Sequence, residues 1–195
     1  MQTGAGRLVA LIMLLSPATA CSQPTLVNFA HLDHLTEWKT VEGDRVAVVH
    51  VYANYPSYDW VSAAESGPEG VACVDDAARA AVLCLRVYEA RSDTGALRRA
   101  LGYLRFVRRM QAADGEFYNF IFADGTINRS GKTSVKSFGW WAARGLWAMA
   151  TGARILAPVD PVLADTLRRR VELSVPHIRQ LLTRYETYKT VGGYR

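Results

Sequence analysis

Two adjacent carboxylates, Asp75 and Asp76, stand where the loop Gly67-Pro68-Glu69-Gly70 passes into a long apolar run. A helix N-terminus presents unpaired N–H groups and a partial positive charge, so an acidic side chain placed there is held as an anion. Such an anion suits the work of a base or nucleophile and makes a poor acid near neutral pH. Neighbours on a helix diverge by about 100°. One of the pair can therefore cap the helix while the other faces the space beyond its mouth. A matching acid has to come from a loop, and Glu69 and Glu116 are the candidates. Apolar neighbours such as Phe117 and Tyr118 favour the neutral form of a carboxyl.

Other side chains could hold a ligand against these groups. Trp140, Trp141, Tyr58, Trp60 and Tyr118 offer aromatic faces, with core packing the expected fate of one of the two tryptophans. Arg79 and Arg144 each interrupt an otherwise apolar segment, and a buried guanidinium needs an acidic partner. Pairing with Asp75, Asp76 or Glu116 is the expectation. His31, Asp33 and His34 have ligand chemistry but lack a third distant partner, so no metal is called for. Cys73 and Cys84 on one helix would lie about 16 Å apart at about 1.5 Å per residue, too far for a mutual disulfide. They read as small buried apolar residues.

The elements that must position these groups alternate in character. Residues 75–89 are apolar nearly all round, with Ala77, Ala78, Ala80 and Ala81 followed by Val82, Leu83, Leu85 and Val87. A helix of that kind is buried on most sides. Residues 94–113 carry Leu97, Leu101, Leu104, Val107 and Met110 on one face against five arginines on the other, which predicts an amphipathic outer helix. Residues 137–154 repeat the first type and residues 161–182 the second, with Pro161 suited to a first turn and Pro176 expected to divide the helix. Ahead of them, residues 24–43 show apolar positions at spacings of three, predicting a short helix, and the β-branched stretch 45–52 predicts a strand. Between the second and third helices, two Asp-Gly pairs flank alternating apolar residues and predict a hairpin over one mouth of the array. Inner and outer helices in alternation are what a barrel of helical hairpins requires.

The chain has 195 residues, half of them hydrophobic, enough for one sizeable core. Its net charge of +5 comes from arginines dispersed along helices, not clustered with aromatics, which disfavours nucleic acid as a partner. Residues 1–20 have the layout of a secretory signal peptide: Arg7, an apolar run from Leu8 to Leu15, and the triplet Ala18-Thr19-Ala20. Export to the periplasm, cell envelope or medium follows. Cleavage after Ala20 would leave Cys21 first, where it could carry a lipid anchor, the one expected tie to a membrane.

Three segments together resemble the six-hairpin glycosidase superfamily, whose fold is an (α/α)6 toroid. They are Asp75-Asp76-Ala77-Ala78-Arg79, Gln111-Ala112-Ala113-Asp114-Gly115-Glu116-Phe117, and Phe138-Gly139-Trp140-Trp141-Ala142-Ala143-Arg144. The likeness runs from about Asp59 to Thr183. Gln-x-x-Asp-Gly before an aromatic also occurs in toroid polysaccharide lyases and terpenoid cyclases. The resemblance implies carbohydrate-directed catalysis in a cleft at one mouth of an all-α toroid, with a short β hairpin or strand beside it.

Hydrolysis of a glycosidic bond needs one protonated and one ionised carboxyl group, which Asp75, Asp76, Glu69 and Glu116 could supply without cofactor or metal. A ring of six hairpins at about 60 residues each needs roughly twice this length. Residues 21–195 are therefore expected to form about half a ring, either a fragment without activity of its own or one that completes itself by self-association. Two rivals stay open. A polysaccharide lyase would abstract a proton with His50, Tyr52 or Tyr118 near Arg129. A non-enzymatic glycan-binding or helical interaction protein would line a concave surface with aromatics and arginines.

Overall fold

The structure is a computed structural model, and it describes residues 27–184. About 51% helix with a few short antiparallel strands makes the fold mostly α. Residues 1–20, expected as a signal peptide, together with Cys21 and Gly192-Gly193-Tyr194-Arg195, lie outside the described residues. Among the described residues no helix is long and apolar enough to cross a membrane.

The N-terminal region departs from its expected helix. Helix α1 (Ala30–Leu35) stops after six residues, and β1 (Thr36–Val41) pairs with β2 (Asp44–Val49) in an antiparallel hairpin whose register puts Trp38 opposite Ala47. Glu42 and Gly43 at its tip both have positive φ, the conformation of a two-residue hairpin turn. The apolar spacing of three over residues 24–43 is thus overridden by local β chemistry: Thr36, Thr40 and Val41 suit a pleated strand, and the adjacent Val-rich stretch supplies the ladder. The expected strand at 45–52 is present, ending at Val49. Further along, β3 (Tyr52–Ala53) pairs with β4 (Trp60–Val61), and β5 (Ala72–Cys73) leads directly into the first long helix.

That helix, α2 (Val74–Arg91), is followed by α3 (Thr94–Met110), α4 (Trp140–Leu156), α5 (Pro161–Leu173) and α6 (Val175–Arg184). Asp93 caps α3 through the Ala96 amide at 2.9 Å, and Asp160 caps α5 through that of Leu163 at 2.9 Å, with Pro161 in its first turn. The break expected near Pro176 falls at Ser174, between α5 and α6.

Helix α2 packs on α3 and α4, and α4 on α5; α3 also covers the β1–β2 hairpin. The core between them holds Leu85, Tyr103, Leu104, Phe106, Met110 and Met149. Helices α2 and α4 do not bury every face: Arg79, Leu83 and Arg86 on one and Trp140, Ala143, Trp147 and Ala150 on the other form an open stripe. Helix α5 buries only Ala164 and Leu167, as an outer helix should.

The connection between α3 and α4 is not one hairpin. Each Asp-Gly pair closes its own turn, Gly115 at φ 91 between bridged Gln111 and Phe117, and Gly125 at φ 85 between bridged Ile121 and Ile127. Strand β6 (Phe120–Ile121), lying between the two turns, pairs with β5 and so sets the connection against the entrance to α2.

Candidate functional site

Helix α2 starts without a side-chain cap. Cys73, in extended conformation, is its N-cap residue; Asp75 and Asp76 both stand in the first turn, and the Val74 amide is satisfied by the Asn119 carbonyl at 2.9 Å. Neither aspartate is therefore the cap.

The two carboxylates do divide in role. Asp75 is buried and spends both oxygens on arginines, Oδ1 accepting from Arg144 of α4 and Oδ2 from Arg79 at 3.4 Å. Asp76 is more open: Oδ1 accepts from Arg79 and Oδ2 from the Cys73 thiol at 3.3 Å. Burial, reinforced by Asp76, pushes the Cys73 thiol well above its ordinary value, so it serves as a neutral donor. The expected pairing of both arginines with this acidic pair is present, although each guanidinium remains partly open to solvent, at 52% for the Arg79 side chain and 41% for Arg144.

These groups open into a cleft of about 380 Å³. Asp75, Asp76 and Arg79 line it from α2, Glu65 and Glu69 from the loop ahead of β5, Asn119 and Thr133 from the α3–α4 connection, and Trp140 from the start of α4. Glu69 is buried and doubly anchored: its Oε2 accepts from the Glu65 amide at 3.1 Å and its Oε1 from the Thr133 hydroxyl. Asn128, itself buried, fixes the same loop by donating Nδ2 to the carbonyls of Pro68 (3.1 Å) and Glu69 (2.7 Å). Gly70, at φ 151, runs so close to Ile121 that a Cβ would stand 2.3 Å from its carbonyl oxygen, so a larger residue would push the loop off β6.

Tyr52 and Glu65 form a second polar pair on the wall. Their hydrogen bond pushes the Tyr52 phenol up to about 12, and it is the largest of the effects that hold the Glu65 carboxyl below its usual range; the Glu65 backbone and a side-chain hydrogen bond with Glu69 add to it. Asn119 is wholly buried on the cleft lining; its Nδ2 donates to the Thr133 carbonyl at 3.1 Å, and its Oδ1 has no partner among the described residues.

A second hollow of about 360 Å³ shares Val51, Asp76 and Arg79 with the cleft and is otherwise walled by residues including Leu32, His50 and Leu83. Asp76 and Arg79 thus stand on the divide between two hollows. A third, of about 430 Å³, touches Glu69 but offers no other titratable side chain, being formed by Gly67, Pro68, Phe122, Ala123 and their neighbours. It lacks the convergent polar groups that fix a ligand.

Several expected site residues lie elsewhere. Glu116 is turned toward Lys136 at 3.8 Å, and its turn is fastened to the α5–α6 junction. There Ser174 donates to the Gly115 carbonyl at 2.6 Å and Gln111 donates to the Arg170 carbonyl at 2.9 Å. In this chain the Gln-x-x-Asp-Gly segment ties a loop to helix ends. Trp141 is buried and donates to the Phe117 carbonyl at 3.0 Å, whereas Trp140 is 55% exposed at the cleft, which divides the tryptophan pair as expected. Tyr58 meets His31 and His34 edge-on, and Trp60 stacks on His50 at 3.8 Å. Tyr118 lies under the Arg129 guanidinium at 4.7 Å.

The remaining metal-type side chains are engaged too. Asp33 is held by Arg99 at 2.6 Å, and the His34 ring nitrogen Nε2 is 3.1 Å from the Tyr58 carbonyl. Cys73 and Cys84 are buried and free, and burial pushes the Cys84 thiol up to about 12. Glu65, Asn119 and Thr133 were not singled out by their sequence context, and Tyr52 only as a base for the lyase alternative, because nothing in local periodicity brings residues 52, 65, 119 and 133 to one point. The proximity of Asn119 to the Asp-Gly turns is the only sequence signal that would have drawn attention to it. No family model matches the chain, and no curated protein matches it in sequence.

Proposed function

We propose that this chain is the N-terminal part of an (α/α)6 toroid that acts on oligo- or polysaccharide outside the cytoplasm as a glycoside hydrolase. What carries the reading is the placement of Asp76 on the divide between two hollows, with Glu69 and the Trp140 ring on one side of it. A glycan crossing the divide would have one sugar in each hollow and its linking oxygen near the carboxylates. Asp76 would act as base or nucleophile and Glu69 as acid, in the two-carboxyl scheme of glycoside hydrolysis. Asp75, with both oxygens committed to arginines, is the positioning residue that locks α2 to α4.

The ring reading rests on the packing. Helices α2 and α4 lie side by side, α3 and α5 back them, and the open stripe on α2 and α4 is what inner helices turn toward a cavity. The lyase reading is less well supported. His50 is spoken for by Glu37 and Trp60, Arg129 by Glu42 and Tyr118, and a phenol raised to about 12 stays protonated near neutral pH, so Tyr52 does not supply a ready base.

The test is an assay of reducing-sugar release and of unsaturated uronide over a panel of glycans, with the wild type, Asp76→Asn and Glu69→Gln. Reducing sugar released by the wild type, and cut at least about 100-fold in either variant, supports hydrolysis. Unsaturated product would favour the lyase. Silence of the wild type in both assays, with glycan binding retained, would favour the binding protein or an incomplete ring.

A further inference from the structure

We propose that the cleft is selective for amino sugars, preferring a residue with a free ammonium group to its neutral counterpart and rejecting uronates; this rests on the carbohydrate reading above. The charge balance of the walls carries it. Asp75, Asp76, Glu65 and Glu69 line the cleft, and the guanidiniums near them are those of Arg79, on the lining, and Arg144, bonded to Asp75. No lysine lines it among the described residues. With Glu69 as the acid of the two-carboxyl scheme above, Asp75, Asp76 and Glu65 remain as carboxylates on the lining. Even so, three carboxylate charges stand against two guanidiniums, and Arg144 is spent on the buried Asp75.

The surplus is one of hydrogen-bond acceptors as well as of charge. The Oδ1 of the fully buried Asn119 has no partner among the described residues, and an acceptor in that state gains most from a ligand that donates. An ammonium brings three donors and a positive charge, a hydroxyl one donor, and a carboxylate none. The exposed Trp140 ring on the lining adds an aromatic surface of the kind that attracts cations. A uronate would have to bury its charge beside these carboxylates, with Arg79 already shared between Asp75 and Asp76.

The experiment is isothermal titration of the full chain with methyl glycosides in gluco and galacto series, each as the amino sugar, the neutral sugar and the uronate. The amino sugar should bind about tenfold tighter than the neutral one at low salt, with the uronate weakest. The amino-to-neutral ratio should shrink several-fold between about 20 mM and 500 mM salt, as exposed charges are screened. Glu65→Gln, which removes one wall charge from an exposed position, should reduce the same ratio. A uronate that binds as well as the neutral sugar, or a ratio indifferent to both salt and Glu65→Gln, overturns the selectivity while leaving the carbohydrate reading standing. Failure of every sugar in both series to bind overturns the two together.

Discussion

At the scale of single residues, the adjacent aspartates show how one helical step separates two fates. Asp75 turns into the α2–α4 interface and becomes the acceptor for two arginines, while Asp76 stays on the cleft side with a thiol and a single guanidinium. Asp75→Asn should therefore cost about 2 kcal/mol of stability, because it leaves Arg79 and Arg144 without a full countercharge. The figure is kept modest because both guanidiniums are partly hydrated. Chemical denaturation would read it, and the Arg144→Met variant made on top of Asp75→Asn should cost less than its cost in the wild type. Asp76→Asn should shift the same midpoint by less than Asp75→Asn does. A reversed order would contradict the division of roles.

At the scale of elements, close approaches decide which surfaces meet. Helix α3 lies so near the β1–β2 hairpin at Gly102 that an added Cβ would stand 2.7 Å from the Ala47 Cβ and 2.7 Å from the Trp38 ring. Trp38 is 39% exposed and can swing outward, but Ala47 is fixed to its strand and fully buried. Gly102→Ala should destabilise by about 1–3 kcal/mol, the usual cost of overpacking, despite alanine being the better helix former. Thermal denaturation tests this, and an unchanged or raised midpoint would show that the hairpin is free to move away. The three strand pairs deserve the same weight as the helices, since the β5–β6 pairing is what brings Asn119 and Thr133 to the mouth of α2.

At the scale of the whole molecule, acid stability should be governed in part by the His50–Glu37 pair. Burial holds the His50 imidazole below its ordinary 6.5, outweighing the opposing effect of its hydrogen bond to Glu37. Burial works to raise the Glu37 carboxyl, but hydrogen bonds from His50 and Lys39 outweigh it and leave it below 4.5. Both groups bind protons more weakly folded than unfolded. Their contribution is fully present above pH 6.5 and is lost as the pH falls, first through the imidazole's lowered value and then through the carboxyl's. The thermal midpoint should fall between pH 7 and 5, and His50→Gln should flatten that slope. An equal slope in the variant would remove the pair from the account.

Much of the helical scaffold was legible in the sequence. Apolar periodicity located α2, α3, α4 and the α5–α6 stretch to within a few residues, and Pro161 and Pro176 marked a start and a break, because helix burial is written in neighbours along the chain; the isolated arginines announced acidic partners because a charge on an apolar helix needs one, and Arg144 finds its partner on another helix. The short helix expected within residues 24–43 is present only as α1, and beyond Leu35 β-branched residues and a tight turn outcompete the apolar spacing. Glu116 was likewise expected at the cleft on chemistry alone, yet its turn is anchored to α5 and α6. Local chemistry by itself determined which residues could act and which segments would be helical. Only the tertiary structure decided which of them meet, because Tyr52, Glu65, Asn119 and Thr133 are brought together by long-range strand pairing and loop anchoring that no local pattern encodes.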